Sequence, residues 1–179
     1  MNIRTILVPV DFSVCSMLVT RQAAGLATRL DARVVVLHVA ELPGNLAPNT
    51  HVHPGGVEQT AGEYLLADTR ARLAPFVEAA REGGATAEAD VRIGPVVPTI
   101  LAAVESLGAD LIVIGTHGRT GLARLVLGSV AEGVAHRAHV PVMLVRRETR
   151  PECARQSCEW CPNEGRSPAE TRMAVESEG

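Results

Sequence analysis

Apolar positions along this chain switch repeatedly between two rhythms. Short apolar runs, suited to strands covered on both faces, stand at Ile6 to Val10, Arg33 to Ala40, Leu111 to Ile114 and Pro141 to Val145. Ala85 to Ile93 alternates more loosely and predicts a further strand. Between them apolar residues recur near helical spacing. Leu18, Ala23, Leu26, Ala27 and Leu30 form one set, with Ser13 placed to cap it; Leu65, Leu66, Leu73, Phe76, Val77 and Ala80 form another within Glu58 to Arg81. Pro75 predicts a kink or break in that second helix, and Gly83-Gly84 its end. Pro98 suits the first turn of a helix reaching Leu107, with Gly108 as its stop, and Gly128-Ser129 opens one running to about His139. Glu41 to Val57 dissolves into Pro, Gly, Asn and His and predicts a long loop.

The resulting order, β-α-β-α-β-α-β-α-β, predicts an α/β fold: a Rossmann-like, doubly wound, five-stranded parallel sheet with helices on both faces, one domain over residues 1–147. In such sheets ligands sit beyond the carboxyl ends of the strands, where the strand order reverses. Residues 148–179 lose all periodicity and predict a disordered, cysteine-containing tail.

Composition narrows the function. The 179 residues suit one domain with a proper core, and no apolar run approaches the roughly 20 residues that cross a bilayer. The opening apolar run is cut by Asp11 with no cleavage site behind it, and the four cysteines do not resemble a secreted framework, so a cytoplasmic protein without a membrane partner is expected. A net charge of −3 with two Phe, one Tyr and one Trp argues against nucleic-acid binding. All 17 basic residues are arginine. Without lysine there is no Walker-type loop, no kinase strand lysine and no Schiff base.

The strongest chemical signal follows the fourth strand: Gly115-Thr116-His117-Gly118, nine residues, then Gly128-Ser129 at a helix start. Glycines at 115 and 118 would let backbone approach an anion and accept positive φ. Gly128 and Ser129 would present free N–H groups at the positive end of a helix dipole, and Arg119 and Arg124 could reach terminal phosphates as forked donors. The plainer alternative is a strand-to-helix connection in which Ser129 is an ordinary cap and the glycines only turn the chain.

This segment, from Val113 through Val145, closely resembles the universal stress protein family, whose Gly-x-x-Gly-nine-Gly-Ser/Thr pattern is matched by Gly115, Gly118, Gly128 and Ser129. The opening Ile-Leu-Val-Pro-Val-Asp-Phe-Ser also resembles the family's first strand. The likeness spans about residues 1–147 and implies an adenine nucleotide alpha hydrolase-like fold, of the ATP-binding branch. It implies that Pro9, Val10 and Asp11 lie beside the nucleoside, with Asp11 accepting from ribose or adenine. Val39 would line the adenine slot with Ile114 near it. Gly115, His117, Gly118, Gly128, Ser129 and Val130 would contact ribose or phosphates. The ligand is then ATP; one carboxylate together with the phosphates could hold magnesium.

Several residues keep a second reading. Asp11 could simply cap the next turn. His117 could act as a base, although nothing nearby completes a catalytic set and a hydrogen-bonding or exposed role is the plainer one. His136 and His139 have metal-ligand spacing but also suit a helix C-terminal dipole, the preferred reading; His51 and His53 read as solvated. Cys153, Cys158 and Cys161, with Trp160 between the last two, make half a zinc site or a redox group, with Cys15 or a second chain to complete it. The final apolar strand, Val140 to Val145, reads as a sheet edge, and the family resemblance implies a homodimer through it.

The leading expectation is an ATP-binding regulatory protein of the stress response without fast turnover. The alternatives are a slow ATPase or nucleotidyl transferase on the same scaffold, and a nucleotide-independent dimeric scaffold acting through its cysteine tail. The His-x-Gly-His and Ser-Gly-Gly-x-Asp-Ser signatures of related enzymes are absent.

Overall fold

The computed structural model describes residues 2–42, 44, 46–116 and 127–146. Along the chain these form β1 (Thr5–Pro9), α1 (Val14–Leu30), β2 (Arg33–Ala40), β3 (His51–Val52), β4 (Gln59–Thr60), α2 (Ala61–Glu82), β5 (Thr86–Ile93), α3 (Val96–Leu107), β6 (Leu111–Gly115), α4 (Ser129–Arg137) and β7 (Val142–Val145). The alternation expected from periodicity is present, with one addition. A small antiparallel hairpin pairs β3, inside the stretch expected as loop, with β4, at the start of the stretch expected as helix, and sets His51 opposite Thr60. Its His51 is exposed and pairs with Glu58 at 3.1 Å.

The main sheet has five strands in the order β5-β2-β1-β6-β7, all pairs parallel. The chain winds outward from β1 through β2 to β5, then crosses to β6 and β7. The order therefore reverses between β1 and β6. Successive side chains of a strand face opposite ways, so each unbroken apolar run serves two cores. Ile6, Val8, Val34, Val36 and Val113 pack with Val19, Ala23, Leu73 and Phe76 of α1 and α2. Leu7, Val35, Leu37, Ile112 and Ile114 pack with Ile100, Val104, Ala131 and Val134 of α3 and α4. This is the expected doubly wound single domain.

Two local expectations need correction. The second helix begins at Ala61, not Glu58, because Thr60 and Glu63 form a reciprocal capping box: the Glu63 N–H donates to Thr60 Oγ1 at 3.2 Å, and the Thr60 N–H to Glu63 Oε2 at 2.9 Å. The Thr60 N–H, then its hydroxyl, hold the Glu63 carboxyl below the usual carboxylate range. Of the kink or break expected at Pro75, the break does not occur: the helix continues to Glu82. Pro75 lies on the exposed side, as does Ala71, whose carbonyl loses its N–H partner, so water can replace the missing bond.

The sheet's two margins differ. On β5, Arg92 Nε pairs with Asp90 at 2.8 Å, and Glu88 meets Arg33 of β2 at 2.7 Å. On β7, Met143 and Leu144 are 38% and 41% exposed.

Candidate functional site

The crevice lies where the strand order reverses, beyond the carboxyl ends of β1 and β6. β1 delivers Pro9 there and β6 delivers Gly115. Val39, Ile114 and Val130 come together in one apolar cluster with Leu127 and Ala131, on the α3 and α4 face of the sheet. Pro9 shares that pleat with Leu7. Residues from three strands and one helix start thus converge, although they are scattered through the sequence.

Val10 does not join them. Its side chain is 6% exposed and packs in the opposite core. Its N–H donates to Leu37 O at 2.8 Å, and its carbonyl lies 2.7 Å from His38 Nδ1. A carbonyl only accepts, so Nδ1 carries the hydrogen.

Asp11 heads a closely bonded turn. Its Oδ1 accepts from the Ser13 N–H at 3.1 Å and from the Ser16 hydroxyl at 2.7 Å, while its own N–H donates to Ser16 Oγ at 3.1 Å. The local capping role weighed for Asp11 is therefore realised at this oxygen. Ser13 occupies the N-cap position of α1 as expected, but its side chain makes no capping bond; the Asp11 carboxylate, two residues upstream, accepts the Ser13 N–H and fixes the turn that leads into the helix. Between them Phe12 takes a φ of 63°, a left-handed conformation costing a bulky residue roughly 1–2 kcal/mol.

On the other side of the crevice, Thr116 is buried and extends the sheet by donating its N–H to Val145 O at 3.0 Å. Its carbonyl accepts from the Gly128 N–H at 2.9 Å. That bond corrects one expectation: the Gly128 amide is not free for an anion. The amides that helix geometry leaves without intrahelical acceptors belong to Ser129, Val130 and Ala131, the first turn of α4. The positive φ expected at Gly115 is also not taken: Gly115 ends β6 in extended register with Val145. Ser129 is exposed. His117, Gly118, Arg119 and Arg124 lie outside the described residues, as do Cys153, Cys158, Trp160 and Cys161.

Sequence reasoning passed over His38, Phe12, Arg72, Ser16 and Thr116. Phe12 and His38 stack with ring centroids 4.2 Å apart, and the Arg72 guanidinium lies 4.1 Å from the Phe12 ring centre. A histidine inside an otherwise apolar buried strand was the available signal, since a buried polar side chain needs a partner. The Asp-x-Ser-x-x-Ser spacing was the signal for Ser16. Among the described residues no three His, Cys, Asp or Glu side chains are grouped to hold a metal, and no helix is long and apolar enough to cross a membrane. His136 lies in the last turn of α4 and is exposed, as is His139 just beyond it, in keeping with the dipole reading.

The comparisons with known proteins agree with this architecture. The universal stress protein family model matches residues 2–146. A universal stress protein of Methanocaldococcus jannaschii is 32% identical over 144 residues, covering 80% of this chain and 82% of the relative. One from Mycobacterium tuberculosis is 34% identical over 152 residues, but the match covers 79% of this chain and only 45% of that longer protein. Among solved structures, the Lactobacillus plantarum universal stress protein superposes with a TM-score of 0.66 at 22% identity, covering 82% of this chain and 99% of the other. The Archaeoglobus fulgidus universal stress protein in complex with dAMP gives 0.56 at 26% identity, covering 80% and 98%. A universal stress protein in complex with cAMP gives 0.60 at 24%, covering 82% and 98%. Sheet order, crevice and sequence likeness lead to one conclusion: the chain belongs to the universal stress protein family.

Proposed function

We propose that this protein binds an adenine nucleotide, ATP in the first instance, in the crevice between β1 and β6, and serves as a cytoplasmic regulatory protein of the stress response. The observation carrying this reading is the convergence of Val39, Ile114 and Val130 on one apolar wall beside the first turn of α4. An apolar wall suits a purine face, and helix N-terminal amides suit phosphate. Gly115 would let backbone approach the ribose, and Pro9 and Asp11 would border the base from β1. His117, Gly118, Arg119 and Arg124 would complete the phosphate side. The related structures holding cAMP and dAMP support an adenylate over other ligands. A magnesium ion travelling with ATP would take its oxygen ligands from phosphate and water, with Asp11 the carboxylate at hand.

The same reading includes a homodimer through the last strand, Val140 to Val145. Its support is the exposed apolar pair Met143 and Leu144 on an edge strand. Residues 148–179 form a separate tail in this reading, outside the nucleotide-binding domain.

Titration calorimetry and thermal unfolding with ATP, ADP and AMP test the binding. At about 100 times Kd, ligand should stabilise the protein by about 2.7 kcal/mol, and the double variant Gly118→Ala, Ser129→Ala should lose that gain. Folded protein that gives no heat with any of the three at concentrations on the order of millimolar overturns the proposal.

A further inference from the structure

We infer that His38 and Arg72 are positioning residues for the nucleotide site, acting from the opposite face of the sheet through Phe12 and the Val10 carbonyl. The inference rests on the binding reading above. Strand β1 leaves the sheet as Pro9-Val10-Asp11, and these residues alternate in direction. Pro9 shares the pleat of Leu7 on the crevice face, whereas Val10 is buried in the α1 and α2 core. The segment bordering the crevice is therefore held from behind. The His38 Nδ1–H grips the Val10 carbonyl at 2.7 Å, and the Val10 N–H is fixed on Leu37 O. Immediately after Asp11, Phe12 sits in the left-handed region. A large side chain stays there only when its surroundings hold it.

Those surroundings are specific. The Phe12 ring lies against the His38 ring at 4.2 Å, tilts toward Phe76 at 5.9 Å, and carries the Arg72 guanidinium 4.1 Å above its centre. Phe76 and Arg72 both belong to α2, and His38 to β2. The Asp11 carboxylate is in turn fixed by Ser13 and Ser16 on the far side of Phe12. One stack thus sets the path of the chain on both sides of Asp11. Neither His38 nor Arg72 needs to touch the ligand for its loss to be felt there.

The two parts of the His38 contact can be separated by substitution. His38→Phe keeps a ring against Phe12 and removes the N–H; His38→Asn offers an amide N–H near the Nδ1 position without the ring. Arg72→Met removes the charge over Phe12 while keeping a long stem, and Arg72→Lys restores a cation. Arg72 is exposed, so its variants fold even where a His38 variant does not.

Two measurements on the full chain decide the matter. Amide hydrogen exchange of ligand-free protein should show faster exchange at Asp11 and Ser13 in His38→Phe and Arg72→Met than in the parent, with recovery in His38→Asn and Arg72→Lys. Calorimetry with ATP should show affinity weakened about tenfold by His38→Phe, the loss of one hydrogen bond, and about threefold by Arg72→Met, with the same recoveries. Unchanged exchange in both variants overturns the inference. So does altered exchange with unaltered ATP affinity, which would make the stack structural only. If the parent itself binds no adenylate, the binding reading fails, and the positioning role fails with it even where the exchange pattern confirms that the stack holds the turn.

Discussion

Ser16 and Asp11 exchange two hydrogen bonds: the Ser16 hydroxyl donates to Asp11 Oδ1 at 2.7 Å, and the Asp11 N–H donates back to the same oxygen of Ser16 at 3.1 Å. Ser16 is 4% exposed, so water cannot readily replace either bond. The pair closes the turn by which β1 becomes α1, at the border of the crevice.

Ser16→Ala should therefore lower unfolding free energy by about 1–2 kcal/mol, with an unchanged denaturant slope. Ser13→Ala should have a much smaller effect, because the Ser13 side chain makes no capping bond and reaches only Ser16 Oγ, at 3.4 Å. Equal losses from the two would show that the Asp11–Ser16 exchange is not what fixes the turn.

Gly94 gives a second stability prediction. It follows β5 with a φ of 153°, and a Cβ there would lie 2.7 Å from Thr99 Oγ1. Gly94→Ala should cost more than about 1 kcal/mol, since backbone and neighbour both resist the side chain. Chemical denaturation measures it. The double variant with Thr99→Ala should recover the steric part and leave the conformational part.

Glu63 titrates with a readable sign. Its folded pKa is depressed by the Thr60 N–H and hydroxyl, so its contribution to stability is present above the ordinary carboxylate range and is lost as pH falls through the folded value. The Glu63 carboxyl signal in NMR should titrate below that of an unstructured glutamate. Thr60→Ala should raise the midpoint only part of the way, because the larger cause, the backbone N–H, remains.

A charge on the β7 edge tests the assembly. Leu144→Arg should convert a dimer to a monomer in sedimentation, while far-ultraviolet circular dichroism stays unchanged, because the side chain is 41% exposed and supports no core. A parent protein that is already monomeric overturns the proposed dimer, and a variant that stays dimeric places the contact elsewhere.

Much of this architecture could be read from the residues. Apolar runs such as Ile6 to Val10 and Leu111 to Ile114 could only be strands with both faces covered, and the intervening helical periods fixed the winding. The crevice residues Val39, Ile114 and Val130 were reachable because topology dictates where strand ends meet. The direction of Val10 was legible too, because it continues the alternation of Ile6 and Val8 into the α1 and α2 core. The bond that occupies the Gly128 amide was not legible, because its acceptor, the Thr116 carbonyl, lies twelve residues earlier in the chain and leaves no local signal. The β3–β4 hairpin escaped notice because two-residue strands leave no period to detect. Pro75 does not end its helix; it lies on the exposed side, where water can reach the Ala71 carbonyl that has lost its N–H partner.

The unlike borders of the main sheet set a limit on growth. Two copies joined along β7 would each leave β5 facing outward, with Glu88, Asp90 and Arg92 arrayed upon it. A third copy would have to strip those ions of water to add its own strand. The ribbon should stop at a pair rather than lengthen into a fibre.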